Sequence, residues 1–290
     1  MFHRTTSVTT LVTSLVALGG CSLDANDSER SVSVEGIELA QSREAIVSAS
    51  APTLKPSPSP GCFCGQIYDP VCGRDGETYP NGCTAFCNNT EVAFDGICGT
   101  GQPEEIASID PATCAGLLSG LRPFPTEDGH FSAVQIPIAA TSAFRVESFD
   151  FSLLGELGVP GCDDTIPGQI GLWVQDAAFP DASPNFLFQT HFTPTPVPGQ
   201  PNSFFRIELP EPVVVGPGES LFVSFEMSFD SPDAKTCVLS CDNPNTPVGF
   251  WSNSATTPFP WSALTDFGLP GGPLIFVQGE RLAPGLGSIR

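Results

Sequence analysis

Residues 62–98 read CFCGQIYDPVCGRDGETYPNGCTAFCNNTEVAFDGIC. They contain six cysteines, with one, seven, ten, three and ten residues between successive ones. A chain this short buries too little apolar surface to offset the conformational entropy lost on folding, so we expect disulfide bonds to hold it. Six cysteines allow fifteen pairings, and their spacing alone does not select one. Zinc is a poor alternative, because structural zinc sites favour paired C-x2-C knuckles and this segment has none.

The motifs between these cysteines are PVCG at residues 70–73, DGETY at residues 75–79 and NGC at residues 81–83. With the cysteine spacing, they resemble a Kazal-type serine protease inhibitor domain over nearly all of residues 62–98. The resemblance implies a small α+β fold with a short helix near residues 81–87 beside a small sheet. It also implies three disulfide bonds, Cys62–Cys87, Cys64–Cys83 and Cys72–Cys98.

The resemblance further implies a reactive loop that enters a serine protease like a substrate. By position, Gln66–Ile67 is the reactive bond, Gly65 and Tyr68 flank it, and Asn81 braces the loop with its side-chain amide. A loop already fixed by disulfides loses little entropy on binding, which favours affinity. The implied partner is a trypsin-, chymotrypsin- or subtilisin-like serine protease, and no metal or cofactor is expected.

A second function stays open beside inhibition. Gln66 is neither the basic residue that trypsin-like pockets accept nor the large apolar residue that chymotrypsin- and subtilisin-like pockets accept. A single residue separates Cys62 from Cys64, and this short spacing resembles the Kazal modules of matrix and follistatin-like proteins. The alternative is a surface adhesion protein in which the Kazal unit is structural and another domain binds carbohydrate or protein.

Composition indicates an exported, loop-rich and crosslinked protein. The 290 residues include 11 cysteines, 30 prolines and 29 glycines, and only 15% of the side chains are charged. The formal net charge is −21, with only 11 lysines and arginines. Because binding to nucleic acid needs many cationic contacts to phosphates, this balance argues against a nucleic-acid partner.

The first twenty residues read as a targeting segment. Their apolar stretch is too short to span a bilayer as a helix, and Leu18-Gly19-Gly20-Cys21 resembles a bacterial lipobox. This resemblance implies that Cys21 is acylated and anchors the protein to the membrane of the cell envelope. Ser22 resembles the sorting position of lipoproteins sent to the outer membrane. An ordinary signal peptide with a free Cys21 is the alternative.

The rest of the chain predicts a multidomain protein. We divide it into a signal peptide (1–20), a disordered Ser/Pro-rich linker (21–61), the Kazal-like domain (62–98), a second linker (99–111), a β-sandwich domain (112–279) and a tail (280–290). Between residues 112 and 279, short runs of β-branched and aromatic residues alternate with Pro/Gly/Asn/Asp turns. Period-two patterning without a long helical segment predicts an all-β, jelly-roll-like sandwich. Outside the Kazal-like segment, the only helix start that we predict is at Asp110-Pro111, just before the sandwich.

Candidate functional residues in the sandwich are few. Four cysteines, Cys114, Cys162, Cys237 and Cys241, allow three pairings. The acidic residues Asp163, Asp164 and Asp181 could bind calcium or act as an acid–base pair, although solvated turns explain them more simply. Trp251 and Trp261 are candidates for a sugar-stacking platform, whereas Trp173 fits a core. His130 and His191 lie outside any hydrolase motif, so we predict no enzyme activity.

Overall fold

The computed structural model describes most of the chain after residue 61. The described residues are 46–47, 62–65, 67–99, 101–114, 118–123, 130–231, 234–246, 248–254 and 256–282. The signal peptide, Cys21 and Gln66 lie outside them. Within the described part, no helix is long and apolar enough to span a membrane.

The first elements form a small α+β unit. Apart from strand β1 (Ile46–Val47), which joins a sheet described below, they are strands β2 (Val71–Gly73), β3 (Thr78–Tyr79) and β4 (Val92–Asp95), with helix α1 (Gly82–Cys87) between β3 and β4. The order β3-β2-β4 makes a three-stranded antiparallel sheet. Helix α1 begins where the Asn81 side chain accepts a hydrogen bond from the backbone amide of Thr84, a standard N-cap. Three disulfides crosslink the unit, Cys62–Cys87, Cys64–Cys83 and Cys72–Cys98, which are the pairs that the resemblance implies.

The remaining elements are almost entirely strands. They are β5 (Gly101–Ala107), β6 (Leu118–Leu121), β7 (His130–Pro137), β8 (Ala143–Leu154), β9 (Gly168–Gln175), β10 (Phe188–Phe192), β11 (Asn202–Val215), β12 (Ser220–Met227), β13 (Phe229–Ser231), β14 (Ala234–Lys235), β15 (Val238–Cys241), β16 (Gly249–Ser252), β17 (Ser262–Ala263), β18 (Gly272–Pro273) and β19 (Phe276–Leu282). Two 3-10 helices span Pro111–Thr113 and Leu264–Phe267. The first follows the predicted start, because Asp110 caps it and Pro111 is its first residue.

Most of these strands belong to two sheets. The first sheet has the order β1-β11-β8-β15-β18, with β19 pairing both β8 and β5, and β6 pairing β15. The second sheet has the order β10-β9-β12-β7-β16-β17. Every described pair of strands within these two sheets is antiparallel except β1 with β11. Strands β13 and β14 form a separate hairpin.

The two sheets pack face to face around one apolar core. Phe151 of β8 in the first sheet contacts Phe225 of β12 in the second, with ring centroids 4.9 Å apart. Alternate residues of both strands contribute to the same buried cluster. Period-two alternation therefore placed the core correctly, and the expected fold class, a disulfide-rich α+β unit followed by an all-β region, is confirmed.

The second sheet is buried on its outer face as well. Phe222 of β12 and Trp173 of β9 point away from the shared core and join a second aromatic cluster that also includes Phe250, Phe259 and Trp261. Because both faces of β12 are covered, its sequence SLFVSFEM is buried at nearly every position.

Strand β5 lies in the segment that we interpreted as a linker. It pairs along its whole length with β19, which extends to Leu282, beyond the predicted start of the tail at residue 280. This strand was not predicted from the sequence, because Pro103 and the glutamates Glu104 and Glu105 interrupt the alternation of apolar and polar residues. Such residues suit a strand at the edge of a sheet. The limits of the folding units stay a prediction.

Candidate protease-binding loop

The segment before β2 is tied to the rest of the α+β unit at both ends. At its start, Cys62 and Cys64 are bonded to Cys87 and Cys83 of helix α1, with Cα–Cα distances of 5.8 and 5.7 Å. At its end, the backbone amide of Asp69 donates a hydrogen bond of 2.9 Å to the carbonyl oxygen of Pro80. The residues between these ties form a short, crosslinked loop.

Asn81 connects this loop to helix α1. Its side-chain Nδ2 donates hydrogen bonds to the carbonyl oxygens of Gly65 (3.1 Å) and Ile67 (2.8 Å). Its Oδ1 accepts hydrogen bonds from the backbone amide (2.9 Å) and the hydroxyl (3.0 Å) of Thr84. One side chain therefore caps the helix and holds the two carbonyls on either side of residue 66, which is the arrangement expected of a loop brace.

The loop itself faces solvent. The side chains of Ile67 and Tyr68 are each 74% exposed, and a Cβ atom on Gly65 would meet no other atom within 4 Å. Gln66 follows Gly65 and precedes Ile67 in the chain, and it lies outside the described residues. A second protein can therefore reach the backbone of this loop from outside.

The hairpin formed by strands β2 and β3 is stabilised by hydrogen bonds to the side chain of Asp75. The hydroxyl of Tyr79 donates a 2.7 Å hydrogen bond to Oδ2 of Asp75, and the backbone amide of Glu77 donates to Oδ1 of the same carboxylate. Burial, together with the hydrogen bond and the negative charge of Asp75, raises the pKa of Tyr79 to about 12. Tyr79 therefore stays protonated, and keeps donating, throughout the physiological range.

Arg74 attaches the α+β unit to the first sheet of the sandwich. Its guanidinium makes a bidentate ion pair with Glu219, at 2.9 and 2.6 Å, and donates to the carbonyl oxygen of Val214 at 3.1 Å. The backbone amide of Val214 donates in turn to the carbonyl oxygen of Arg74 at 2.7 Å. Burial by itself lowers the pKa of Arg74, but the hydrogen bond and charge of Glu219, helped by Glu91, outweigh it and raise that pKa.

An apolar cluster surrounds this attachment. Cys72 of the α+β unit packs with Ala143, Val214 and Leu282 of the sandwich, and Phe94 of β4 lies against the same cluster. The turn at Gly216 approaches so closely that a Cβ atom there would lie 2.4 Å from the carbonyl oxygen of Ala93. These contacts come from the β-sheet side of the unit, whereas the loop projects into solvent.

Known proteins share this crosslinked unit. Residues 50–94 match the family described as Kazal-type serine protease inhibitor domain. The chain carries a Kazal domain. The rest of the chain is not assigned to a family by this match.

Three curated relatives resemble the chain over this segment. Human serine protease inhibitor Kazal-type 9 is 40% identical over 55 residues, which are 19% of this chain and 62% of the relative. Bdellin B-3 of Hirudo medicinalis is 46% identical over 37 residues (13% and 66%), and human serine protease inhibitor Kazal-type 1 is 62% identical over 26 residues (9% and 33%). The chain therefore covers less than two thirds of each of these relatives.

One solved structure also aligns with the chain. It contains the cysteine protease and lectin-like domains of Cwp84, a surface layer associated protein of Clostridium difficile, with a TM-score of 0.37 and 7% sequence identity. The alignment covers 67% of this chain and 41% of that one. At this score the likeness supports no inference about the sandwich.

The four cysteines of the sandwich form two long-range bonds. Cys114 pairs with Cys241, and Cys162 pairs with Cys237. The segment that contains Cys237 and strand β15 is therefore bonded to distant parts of the sandwich rather than closed into a small ring. The sequence alone had left all three pairings of these cysteines possible.

The tryptophan platform predicted for sugar binding is wrong. Trp251 and Trp261 are only 7% and 8% exposed, so neither presents a ring face to solvent. The indole NH of Trp251 points at Nδ1 of His130 (3.0 Å), and that of Trp261 donates to the carbonyl oxygen of Asp181 (2.9 Å). Trp173 lies in the core, as expected.

Two of the acidic candidates of the sandwich serve local turns, and the third, Asp164, bonds a residue distant in sequence. Asp163 accepts from the amide and hydroxyl of Thr165, Asp164 accepts from the hydroxyl of Ser203, and Asp181 accepts from the amide of Ser183. Among the described residues, the one group with metal-ligand spacing is Cys62, Cys64 and Cys87, whose sulfurs are engaged in disulfides. Asp163 and Asp181 therefore have the geometry of solvated turns, whereas Asp164 links two segments of the sandwich.

Proposed function

We propose that the Kazal domain inhibits a serine protease by inserting residues 65–68 into the active-site cleft, with Gln66–Ile67 as the reactive bond. The observation that carries the proposal is the brace, in which Asn81 holds the carbonyls of Gly65 and Ile67 between two disulfides and the Asp69–Pro80 hydrogen bond. A free peptide would lose conformational entropy at each of these residues on docking. A loop that is already ordered avoids most of that cost.

The same crosslinks account for slow release after cleavage. If the protease cuts the bond after Gln66, Cys64 stays bonded to Cys83 and Asp69 stays hydrogen-bonded to Pro80. The new amine and the acyl carbon then remain close together, so the peptide bond can re-form before either end leaves. The inhibitor therefore occupies the cleft instead of being consumed.

The experiment that tests this function changes the side chain at the reactive bond. Gln66→Lys should create inhibition of trypsin, and Gln66→Leu should create inhibition of chymotrypsin and subtilisin, because a matched, buried side chain adds about 2–4 kcal/mol at a hot-spot position. Each variant serves as the control for the other enzyme class. The inhibition constant is measured on the exported full chain after mass spectrometry has verified its five disulfides. If the variants inhibit none of the three enzymes, or are simply digested, the proposal is refuted.

We further propose that Cys21 is acylated and anchors the chain in a bacterial cell envelope, at the outer membrane. The lipobox-like Leu18-Gly19-Gly20-Cys21 supports this, and so does the cysteine pairing, because five disulfides engage ten of the eleven cysteines and leave Cys21 over. Mass spectrometry of the mature N-terminus should find acylated Cys21. In cells, Cys21→Ser should move the protein from the membrane to the soluble fraction. An unmodified N-terminus elsewhere would contradict the anchor.

The adhesion function remains a second candidate because of one observation. The Kazal domain shares a buried cluster and the Arg74–Glu219 ion pair with the sandwich, as expected of a module kept to support its neighbour. Under that function, the Gln66 variants would gain no inhibition. The experiment above therefore separates the two functions.

A further inference from the structure

The residue that follows the loop brace makes Asn81 chemically labile. Asn81-Gly82 is the only Asn-Gly pair among the 290 residues. The backbone nitrogen of the next residue can attack the side-chain amide carbon of an asparagine, and glycine favours this attack because it has no Cβ atom and wide conformational freedom. Gly82 is the first residue of helix α1, where a backbone amide has no partner within the helix. The nitrogen that would react is therefore adjacent to Asn81 and is not engaged in the hydrogen bonds of the helix.

This attack leads to deamidation, which needs only water. The backbone nitrogen of Gly82 forms a bond to Cγ of Asn81, the Cγ–Nδ2 bond breaks, and Nδ2 leaves as ammonia with the proton that the Gly82 nitrogen loses. Water then opens the five-membered imide at one of its two carbonyl carbons. The products have aspartate or isoaspartate at position 81, and nothing is oxidised or reduced.

Four hydrogen bonds oppose the first step in the folded chain. The imide ring closes only if the side chain and the backbone of Asn81 rotate toward each other. That side chain is fixed, because Nδ2 donates to the carbonyls of Gly65 and Ile67 and Oδ1 accepts two hydrogen bonds from Thr84. The bonds from Nδ2 lie at the exposed surface, so water reaches the amide once they open. The rate of deamidation therefore depends on the fraction of time in which the brace is open.

We propose that Asn81 is a deamidation site that is protected while it braces the loop and reacts once the loop is released. The two carbonyls that Nδ2 binds belong to Gly65 and Ile67, so cleavage of the chain between these residues weakens the brace. Deamidation then makes the loss permanent, because a carboxylate has no donor for the loop carbonyls and places a negative charge beside them. This consequence rests on the proposed inhibitory function, whereas the modification itself does not.

The test measures deamidation in the full chain at mildly alkaline pH, by mass spectrometry of peptides that contain residue 81. The native chain is compared with a chain whose disulfides have been reduced and alkylated in urea, and isoaspartate in the product identifies the imide route. Asn81 in the native chain should react about 30- to 150-fold more slowly, because the brace and the helix cap must both open. In the reduced chain, Asn81 should react faster than Asn202 and Asn253, which precede serines.

Two variants test the neighbours of Asn81. Gly82→Ala places a Cβ atom 3.6 Å from a methyl carbon of Val92, which is an ordinary contact, so the chain should fold and deamidation of Asn81 should be slower in both states. Thr84→Val keeps the disulfides and both bonds to the loop but removes the 3.0 Å hydrogen bond to Oδ1. The native Thr84→Val chain should therefore deamidate about fivefold faster than the native parent.

The outcomes separate this inference from the function on which its consequence rests. If the native chain deamidates as fast as the reduced chain, or if Gly82→Ala deamidates as fast as the parent, the proposal is wrong whether or not the loop inhibits. Aged chains are also separated by charge and assayed against subtilisin in the Gln66→Leu background. The deamidated fraction should inhibit about 5- to 30-fold less tightly, and equal inhibition would overturn the permanent loss. If no Gln66 variant inhibits any enzyme, the inhibitory function is wrong, and the deamidation rates still decide the modification.

Discussion

Replacing Asn81 should weaken inhibition by loosening the loop while leaving the fold intact. Asn81→Ala removes two hydrogen bonds to the loop carbonyls and the cap of helix α1. A typical hydrogen bond contributes about 1 kcal/mol, and both bonds here are exposed, so we expect the brace to contribute about 1–2 kcal/mol in total. The helix cap contributes about a further 1 kcal/mol to stability. If the loop is preorganised by the brace, the inhibition constant should rise by a factor of about 5 to 30.

Asn81→Asp separates the two roles of this side chain. A carboxylate keeps the acceptor for the amide of Thr84, and its charge is favourable at a helix N-terminus. It has no donor for the carbonyls of Gly65 and Ile67, and it places negative charge beside them. We therefore expect Asn81→Asp to weaken inhibition at least as much as Asn81→Ala but to lower the free energy of unfolding less.

A control variant distinguishes loss of the brace from general destabilisation. Tyr79→Phe removes the 2.7 Å hydrogen bond to Asp75 in the same domain and should cost about 1 kcal/mol of stability without altering the loop. Inhibition constants come from steady-state assays in the Gln66→Leu background, and stabilities come from urea unfolding with the disulfides intact. The reasoning fails if both Asn81 variants inhibit within a factor of about two of the parent. It also fails if Tyr79→Phe weakens inhibition as much as they do.

Two further predictions concern the supports away from the loop. Glu219→Gln removes the negative charge that faces the guanidinium of Arg74, which stays charged and only 13% exposed, so the free energy of unfolding should fall by about 2 kcal/mol in urea titrations. The matched control is Glu147→Gln, because Glu147 is half-exposed and forms a surface ion pair with Arg145; this change should lower the free energy of unfolding by less than about 0.5 kcal/mol. Equal losses in the two variants would show that the Arg74–Glu219 pair is no stronger than a surface pair. The pKa of Tyr79 is raised to about 12 in the folded state, so the stability that it contributes is fully present below about pH 10 and is lost as the pH rises through 12. Asp75→Asn should lower that pKa in an ultraviolet titration of the phenolate, and an unchanged value would remove Asp75 as a cause.

The fold was predictable where the sequence has closely spaced cysteines or a clear alternation of apolar and polar residues. Six cysteines and the motifs between them indicated the α+β unit, and alternation such as that in Leu221–Glu226 indicated the strands of the two sheets. Strand β5 was missed because an edge strand needs no apolar alternation. Strand β11 is continuous from Asn202 to Val215, with a shift in register between Glu208 and Val213. Pro210 and Pro212 in this stretch suggest the end of a strand, because proline cannot donate a ladder hydrogen bond. A strand can nevertheless continue through a bulge at such a position.

The buried tryptophans show a second limit of the sequence. Trp251 and Trp261 border a stretch rich in serine and proline, which reads as an exposed loop. In the structure, Phe259 and Trp261 fold back onto the outer face of the second sheet, where Trp173 and Trp261 stack with centroids 6.3 Å apart. Local composition cannot show this, because the packing partners are distant in sequence.

The attachment of the Kazal domain could be seen only in the structure, and it separates two properties of the loop. Residues 62–98 contain one basic side chain, Arg74, and five carboxylates. The sequence therefore makes Arg74 conspicuous, but it does not predict that Glu219, 145 residues away, is its partner. Asn81 holds two carbonyls of the loop, whereas Arg74, which follows strand β2, bonds the domain to Glu219 of the sandwich. The two side chains contact different partners, so removing the Arg74–Glu219 ion pair should leave the hydrogen bonds that Asn81 makes to the loop in place.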